Sequence, residues 1–273
     1  METRDVTVMP DPQRVADLLR QVAAEEIMPR FQRLAAHEIR EKTGPHDLVT
    51  IADEASERFL EQHLRALLPG SVVVGEEATA ANPGLLDRLA DAAPAWIIDP
   101  VDGTRSFARG KPGFTVIVAL AVAGRTRAGW IYDPVADELA MGQAGQGSTV
   151  NGAPATLSAG GEASDLRGSL GLGYFPPAER KALERRAADL PGLRPLRMAG
   201  REYLDLLTGR MDFILYRRLM PWDHAAGVLL HAEAGGEGRL VDGDDYRPTL
   251  REGPILLAPD APSWHAVRAV LFD

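Results

Sequence analysis

The sequence predicts a mixed α/β fold, and three observations carry the prediction. Amphipathic helical patterns open and close the chain, short β-branched or apolar runs of strand length fill its first half, and strands and helices interleave beyond residues 159–161.

Residues 14–27 place Val15, Leu18, Leu19, Val22 and Ile27 at helical spacing ahead of Pro29, the pattern of an amphipathic helix. Residues 37–47 are polar and read as a mobile connection. A second helix is expected from about Asp53 through Phe59, Leu60, Leu64 and Leu67, stopped by Pro69-Gly70. Residues 71–74 and 95–98 read as strands, each delivering a carboxylate at its end: Glu76 after the first, Asp99 after the second. Residues 114–122 read as a buried strand, Gly124 as its turn and 128–132 as its partner, with 138–141 and 149–150 continuing the antiparallel pattern.

In the second half, strands are expected at 169–172, 212–216 and 255–258, and helices at 178–188, 203–207, 222–234 and 263–271. No repeat, low-complexity tract or long linker interrupts the chain. A single domain over residues 1–273 is expected, with an N-terminal α+β half (1–158) and a C-terminal α/β half (159–273).

With 30 Lys+Arg against 39 Asp+Glu, the formal charge of −9 opposes broad attraction to nucleic acid or anionic membrane. The absence of cysteine excludes disulfides, thiolate zinc sites, iron–sulfur clusters and a Cys nucleophile, so any metal must be held by oxygen or imidazole. Residues 1–11 lack the features of a secretory signal, and the longest apolar stretch, 115–123, falls far short of the ~20 residues of a membrane helix. Cytoplasmic residence without a membrane is the expectation.

The strongest signal is Trp96-Ile97-Ile98-Asp99-Pro100-Val101-Asp102-Gly103-Thr104-Arg105-Ser106-Phe107. Asp-Pro and Asp-Gly are common turn dipeptides, and Pro100 disfavours a helix at Asp99. A turn there aims both carboxylates and the Val101 carbonyl at one point, the hard oxygen set that Mg²⁺ prefers. A helix beginning after it would turn the Gly103 and Thr104 amides toward an anionic phosphate.

Taken whole, the string resembles the Asp-Pro-Ile/Leu-Asp-Gly-Thr-x-x-Phe signature of the inositol monophosphatase family. Other motifs follow in the family's order. Asp47-Leu48-Val49-Thr50-Ile51-Ala52-Asp53 resembles Asp-Leu-Val-Thr-x-x-Asp, with Lys42 at the place of a loop lysine; Gly75-Glu76-Glu77 resembles Gly-Glu-Glu; and Trp222-Asp223-His224-Ala225-Ala226-Gly227 resembles Trp-Asp-x-Ala-Ala-Gly. The simpler reading of Asp53 and of Asp223 is a helix N-cap. The resemblance spans roughly residues 14–271.

The resemblance implies a layered α-β-α-β-α sandwich of the inositol monophosphatase and fructose-1,6-bisphosphatase type, as a homodimer. It also implies Mg²⁺-dependent hydrolysis of a small phosphomonoester, with two or three ions, Mn²⁺ as a substitute and Li⁺ or Ca²⁺ as inhibitors. By the family's roles, Glu76, Asp99 and the Val101 carbonyl hold one ion, while Asp99, Asp102 and Asp223 hold another. Thr104 and Asp53 orient and deprotonate the attacking water, Glu76 joins the catalytic set, and Thr50 and Lys42 support the loop. Substrate contacts fall to Asp102, Gly103, Thr104, Gly200, Glu202, Tyr216 and Asp223.

Two departures bear on the substrate. Gly200-Arg201-Glu202 stands where Gly-Ser/Thr-Ala is usual, and Tyr216 stands where animal enzymes place a Glu that binds inositol hydroxyls. A pocket-facing Glu202 would favour a cationic leaving group; facing solvent or paired with Arg201, it would say nothing of the substrate. Histidinol-phosphate phosphatase and 3′-phosphoadenosine 5′-phosphate nucleotidase, which share these metal motifs, stand beside inositol monophosphate hydrolysis. A bacterial member of the family also acts as an RNA-polymerase-associated factor, for which Arg180, Lys181, Arg185 and Arg186, or Arg217-Arg218, are the candidate surface.

Overall fold

The computed structural model describes residues 9–44, 47–190 and 192–273. Most of the N-terminal stretch read against a secretory signal, and Pro45-His46 of the polar segment, lie outside the described residues.

Helix α1 (Pro12–Val22) starts at Asp11, whose side chain accepts from Gln13 N, and continues through a π turn at Ala23–Ile27. Strands β1 (Ile39–Gly44) and β2 (Asp47–Thr50) pair antiparallel, with Ile39 opposite Thr50. The described part of the segment expected to be a mobile connection is thus largely strand; a polar two-stranded ribbon carries no hydrophobic alternation to announce it. Helix α2 (Ile51–Leu67) begins earlier than expected, because Thr50 rather than Asp53 is its N-cap. Asp53 sits at the third helical position and closes a capping box.

There follow β3 (Val72–Gly75), α3 (Glu76–Ala81), β4 (Ala95–Asp102), α4 (Thr104–Ala108), β5 (Thr115–Val122), β6 (Arg125–Asp133), β7 (Glu138–Gln143), β8 (Ser148–Val150) and β9 (Ala153–Pro154). These seven strands form one sheet in sequential order, parallel only between β3 and β4.

The second half comprises β10 (Arg167–Leu170), α5 (Pro177–Arg186), β11 (Gly192–Leu193), α6 (Ala199–Leu207), β12 (Phe213–Arg218), α7 (Pro221–Glu233), β13 (Glu237–Leu240), β14 (Glu252–Ala258) and α8 (Ala261–Phe272). Its five strands make a mixed sheet in the order β11-β10-β12-β14-β13.

Strand alternation stacks these parts into five layers. In β4 and β5, Trp96, Ile98, Val116, Val118 and Leu120 face α1 and α2, while Ala95, Ile97, Ile117, Ala119 and Ala121 face the core shared with α6 and α7. In the second sheet Ile214, Ile255 and Leu257 meet that same central core, whereas Phe213, Leu215, Leu256 and Ala258 face α5 and α8. The result is an α-β-α-β-α sandwich with α6 and α7 between the sheets. Each large side chain fully buried here contributes roughly 1.5–3 kcal/mol, Trp96 and Trp130 among them. Among the described residues no helix is long and apolar enough to cross a membrane.

Candidate active site

The end of β4 sets the geometry. All eight of its residues are buried, and the strand runs through Pro100 to Asp102 instead of turning at Asp99 as expected. Beyond Ile98 the pairing with β3 has ended, so the missing N–H of Pro100 leaves no ladder bond unmade on that side. Pairing with β5 slips between Asp99 and Asp102. Residues three apart on a regular strand face opposite ways; the irregularity cancels that alternation and brings both carboxylates together.

Asp223 joins them from the first turn of α7, where Met220 is the N-cap and Asp223 the third helical residue. Carboxylate oxygens of Asp99, Asp102 and Asp223 lie within 4.8 Å of one another. Asp102 is fixed from α6, accepting from Ala199 N at 3.2 Å and Gly200 N at 2.8 Å, with the Thr115 hydroxyl at 3.3 Å.

The cluster is electrostatically loaded. Burial, then Glu76, Asp102 and Asp223, push Asp99 well above the carboxylate range. Burial, then Asp102 and Glu76, do the same to Asp223, against the pull of Arg218. Burial lifts Asp102 to about 7 despite the Gly200 and Ala199 amides. Several buried acids that raise one another's pKa, offering only oxygen, suit a hard divalent cation.

Beside the cluster, Thr104 opens α4 behind Gly103, whose φ of +86° is left-handed and suits glycine. The Thr104 hydroxyl lies 2.9 Å from Asp53 Oδ1 and 2.9 Å from the Val101 carbonyl. Asp53 is fully buried and its other oxygen accepts from Thr50 N (2.9 Å) and Thr50 Oγ1 (2.5 Å). Burial raises it to about 6, against the Thr50 bond and with Glu76 adding to the rise.

Glu76 is the first residue of α3 and bonds Lys42 Nζ at 2.9 Å, which also bonds Glu77 at 2.7 Å. Burial works against the Lys42 ammonium, but these acids outweigh it and hold its pKa above the ordinary range. Lys42 lies within β1, a strand and not a loop.

Glu202 takes none of the positions the sequence left open to it. It neither faces an open pocket nor pairs with Arg201; at 1% exposure it accepts from Ser169 Oγ (2.6 Å), Leu196 N (2.8 Å), Arg197 N (3.1 Å) and the Tyr216 hydroxyl. Arg201 turns the other way, to Asp133, Glu138 and Asp205. The Tyr216 ring packs 4.8 Å from His224, which also meets the Tyr203 hydroxyl at 3.0 Å and the Arg218 carbonyl at 3.0 Å. His224 is thus a packed histidine, lowered by burial to about 4.

Sequence reasoning missed Ala199, Thr115 and Glu57. The last sits on the buried face of α2 with Asp53, Ser56, Leu60 and Leu64. An acid within that apolar stripe was the available signal.

Carboxylates from separate parts of the chain, converging beside a hydrogen-bonded Asp–Thr pair, define a centre able to hold divalent cations. The chain belongs to the inositol monophosphatase family, whose model matches residues 12–271. It is 34% identical over 244 residues to the Nus factor SuhB of Haemophilus influenzae, covering 87% of each chain. To inositol monophosphatase 1 of Solanum lycopersicum it is 37% identical over 201 residues, covering 71% of this chain and 72% of the relative. The crystal structure of the extragenic suppressor protein suhB from Bartonella henselae superposes with a TM-score of 0.80 at 25% identity, covering 95% of this chain and 99% of that one.

Proposed function

We propose that this chain hydrolyses a small phosphomonoester, such as an inositol monophosphate, with Mg²⁺ and a directly attacking water. The observation that supports this most is the meeting of Asp99, Asp102 and Asp223 within 4.8 Å. Glu76, Asp99 and the Val101 carbonyl would hold one ion, and Asp99, Asp102 and Asp223 a second. When bound, such ions neutralise the phosphate, ease deprotonation of water and stabilise the departing alkoxide.

The chain's own residues supply the proton path. A Thr104 hydroxyl that donates to Asp53 keeps its lone pairs for a water proton, so Asp53 is the terminal acceptor. A carboxyl near 6 is well placed for that work close to neutrality. Gly103 lets α4 start beside the cluster with the Thr104 amide leading. No phosphoenzyme is required.

Histidinol phosphate and 3′-phosphoadenosine 5′-phosphate are the alternative substrates, and a cytoplasmic homodimer is the proposed state. The test is phosphate release from these compounds, inositol 1-phosphate and fructose 1,6-bisphosphate, ranked by kcat/KM with and without Mg²⁺. Failure to cleave any of them, or turnover that survives chelation, refutes the reading.

A regulatory role is the second reading, drawn from the relative named Nus factor SuhB. Several of the candidate surface cations have partners within the chain: Arg186 bonds the Leu271 carbonyl and Arg217 pairs with Glu179. The converging acids favour catalysis. A pull-down from lysate beside the phosphatase assay separates the two.

A further inference from the structure

Helix α3 begins without a cap of its own, since Gly75 at its N-cap has no side chain. Its first free N–H groups still need partners. They find them in another helix: Glu57 of α2 accepts from Glu77 N at 2.8 Å through one oxygen and from Ala78 N at 2.7 Å through the other. Glu57 is 6% exposed, so this carboxylate is buried against the backbone that follows Glu76.

Gly75 completes the arrangement. A Cβ there would stand 2.3 Å from the Glu57 carboxyl carbon and 2.4 and 2.6 Å from its oxygens. Its φ is −91°, so closeness and not backbone strain requires the glycine. Glu57 therefore grips the chain on both sides of Glu76, through contact with Gly75 before it and bonds to Glu77 and Ala78 after it. A buried acid beside Glu76 and Glu77 is a costly way to cap a short helix.

We propose that Glu57 is a positioning residue for cation binding: by clamping the Gly75–Ala78 corner it holds Glu76, bonded here to Lys42, where its charge reaches Asp99, without touching the ion itself. This rests on the reading of Glu76 as a ligand. Outer residues that orient ligands typically change metal affinity by 10–100-fold when removed.

The test measures Mg²⁺ binding to metal-free protein by calorimetry and by the Mg²⁺-induced rise in Tm, alongside the Mg²⁺ concentration for half-maximal phosphatase activity. Glu57→Gln keeps size but opposes an amide to one N–H; Gly75→Ala drives the clamp apart by a different route. Both are expected to weaken Mg²⁺ binding by about tenfold or more, with kcat at saturating Mg²⁺ little changed. Leu60→Ala, fully buried on the same helix, controls for lost stability: it lowers Tm and leaves Mg²⁺ affinity unaltered. In a Glu76→Gln background, Glu57→Gln should weaken binding no further.

Wild-type Mg²⁺ affinity in both Glu57→Gln and Gly75→Ala, or additive losses with Glu76→Gln, overturns the inference while leaving the phosphatase reading intact. A wild-type protein that neither binds Mg²⁺ nor releases phosphate overturns both.

Discussion

Thr104→Val deletes a hydroxyl and keeps the side-chain volume, which isolates the proposed proton path. Asp53 is fully buried, and of its three donors only Thr50 N and Thr50 Oγ1 would survive. A hydrogen bond to a charged group contributes about 1.5–3 kcal/mol. At about 1.36 kcal/mol per pH unit, its loss lifts the Asp53 carboxyl by roughly 1–2 pH units. The acidic limb of the kcat profile should move up by that amount, and the plateau should fall on the order of 10²–10⁴-fold as the relay is lost. KM should change little, because the hydroxyl works on the transition state. Thr104→Ser keeps the hydroxyl and should recover most of the rate. The assay is phosphate release at saturating Mg²⁺ between about pH 5 and 9. A valine variant as active as the serine variant, with an unmoved acidic limb, refutes the assignment of Thr104 and Asp53.

Asp102→Asn removes one negative charge from the cluster and points an amide N–H at the Ala199 or Gly200 N–H. Turnover should collapse while circular dichroism and Tm show a folded protein; near-normal activity at saturating Mg²⁺ contradicts the role given to Asp102. Burial and neighbouring acids raise Asp53 to about 6 and Asp102 to about 7 from an ordinary 3.8, so their protonated forms favour the fold. In metal-free protein the stability these two groups contribute is therefore full below about pH 4 and is lost as pH rises through about 6–7, and Mg²⁺ should restore it most at the upper end. A metal-free Tm that climbs over that interval contradicts this. Finally, Tyr216 bonds Glu202 and offers no carboxylate to a ring hydroxyl. Inositol 1-phosphate should be preferred to histidinol phosphate by less than a hundredfold in kcat/KM, about 2.7 kcal/mol at ~1.4 per tenfold; a larger preference overturns the argument from the two departures.

The buried strands and the acid motif were legible because their signals are local. An unbroken run such as Trp96-Ile97-Ile98 followed by Asp99 reads as a strand whatever surrounds it, and the structure extends it by a few residues. What escaped was decided at a distance. Strand β1 is polar and is held by pairing with β2 and by the Lys42 bonds to Glu76 and Glu77. The slip in β4 that aligns Asp99 with Asp102 depends on β5, and the amides that hold Asp102 arrive from α6. Glu202 shows the same limit from the other side. The sequence left pocket, solvent and Arg201 open to its charge, but its four partners lie on Ser169, Leu196, Arg197 and Tyr216, contributed by several segments.

The central position of α7 gives the acid cluster a place in time as well as in space. Asp99 and Asp102 belong to the first sheet, yet Asp223 comes from a helix laid down between the sheets. During synthesis the three acids cannot meet until most of the chain has left the ribosome, and a chain cut short before α7 lacks the third. A cation held by all three would recognise only the completed stack and would act as a bolt between the halves. At a concentration 100 times its dissociation constant it would add about 2.7 kcal/mol to the folded state, a stabilisation unavailable to either half alone.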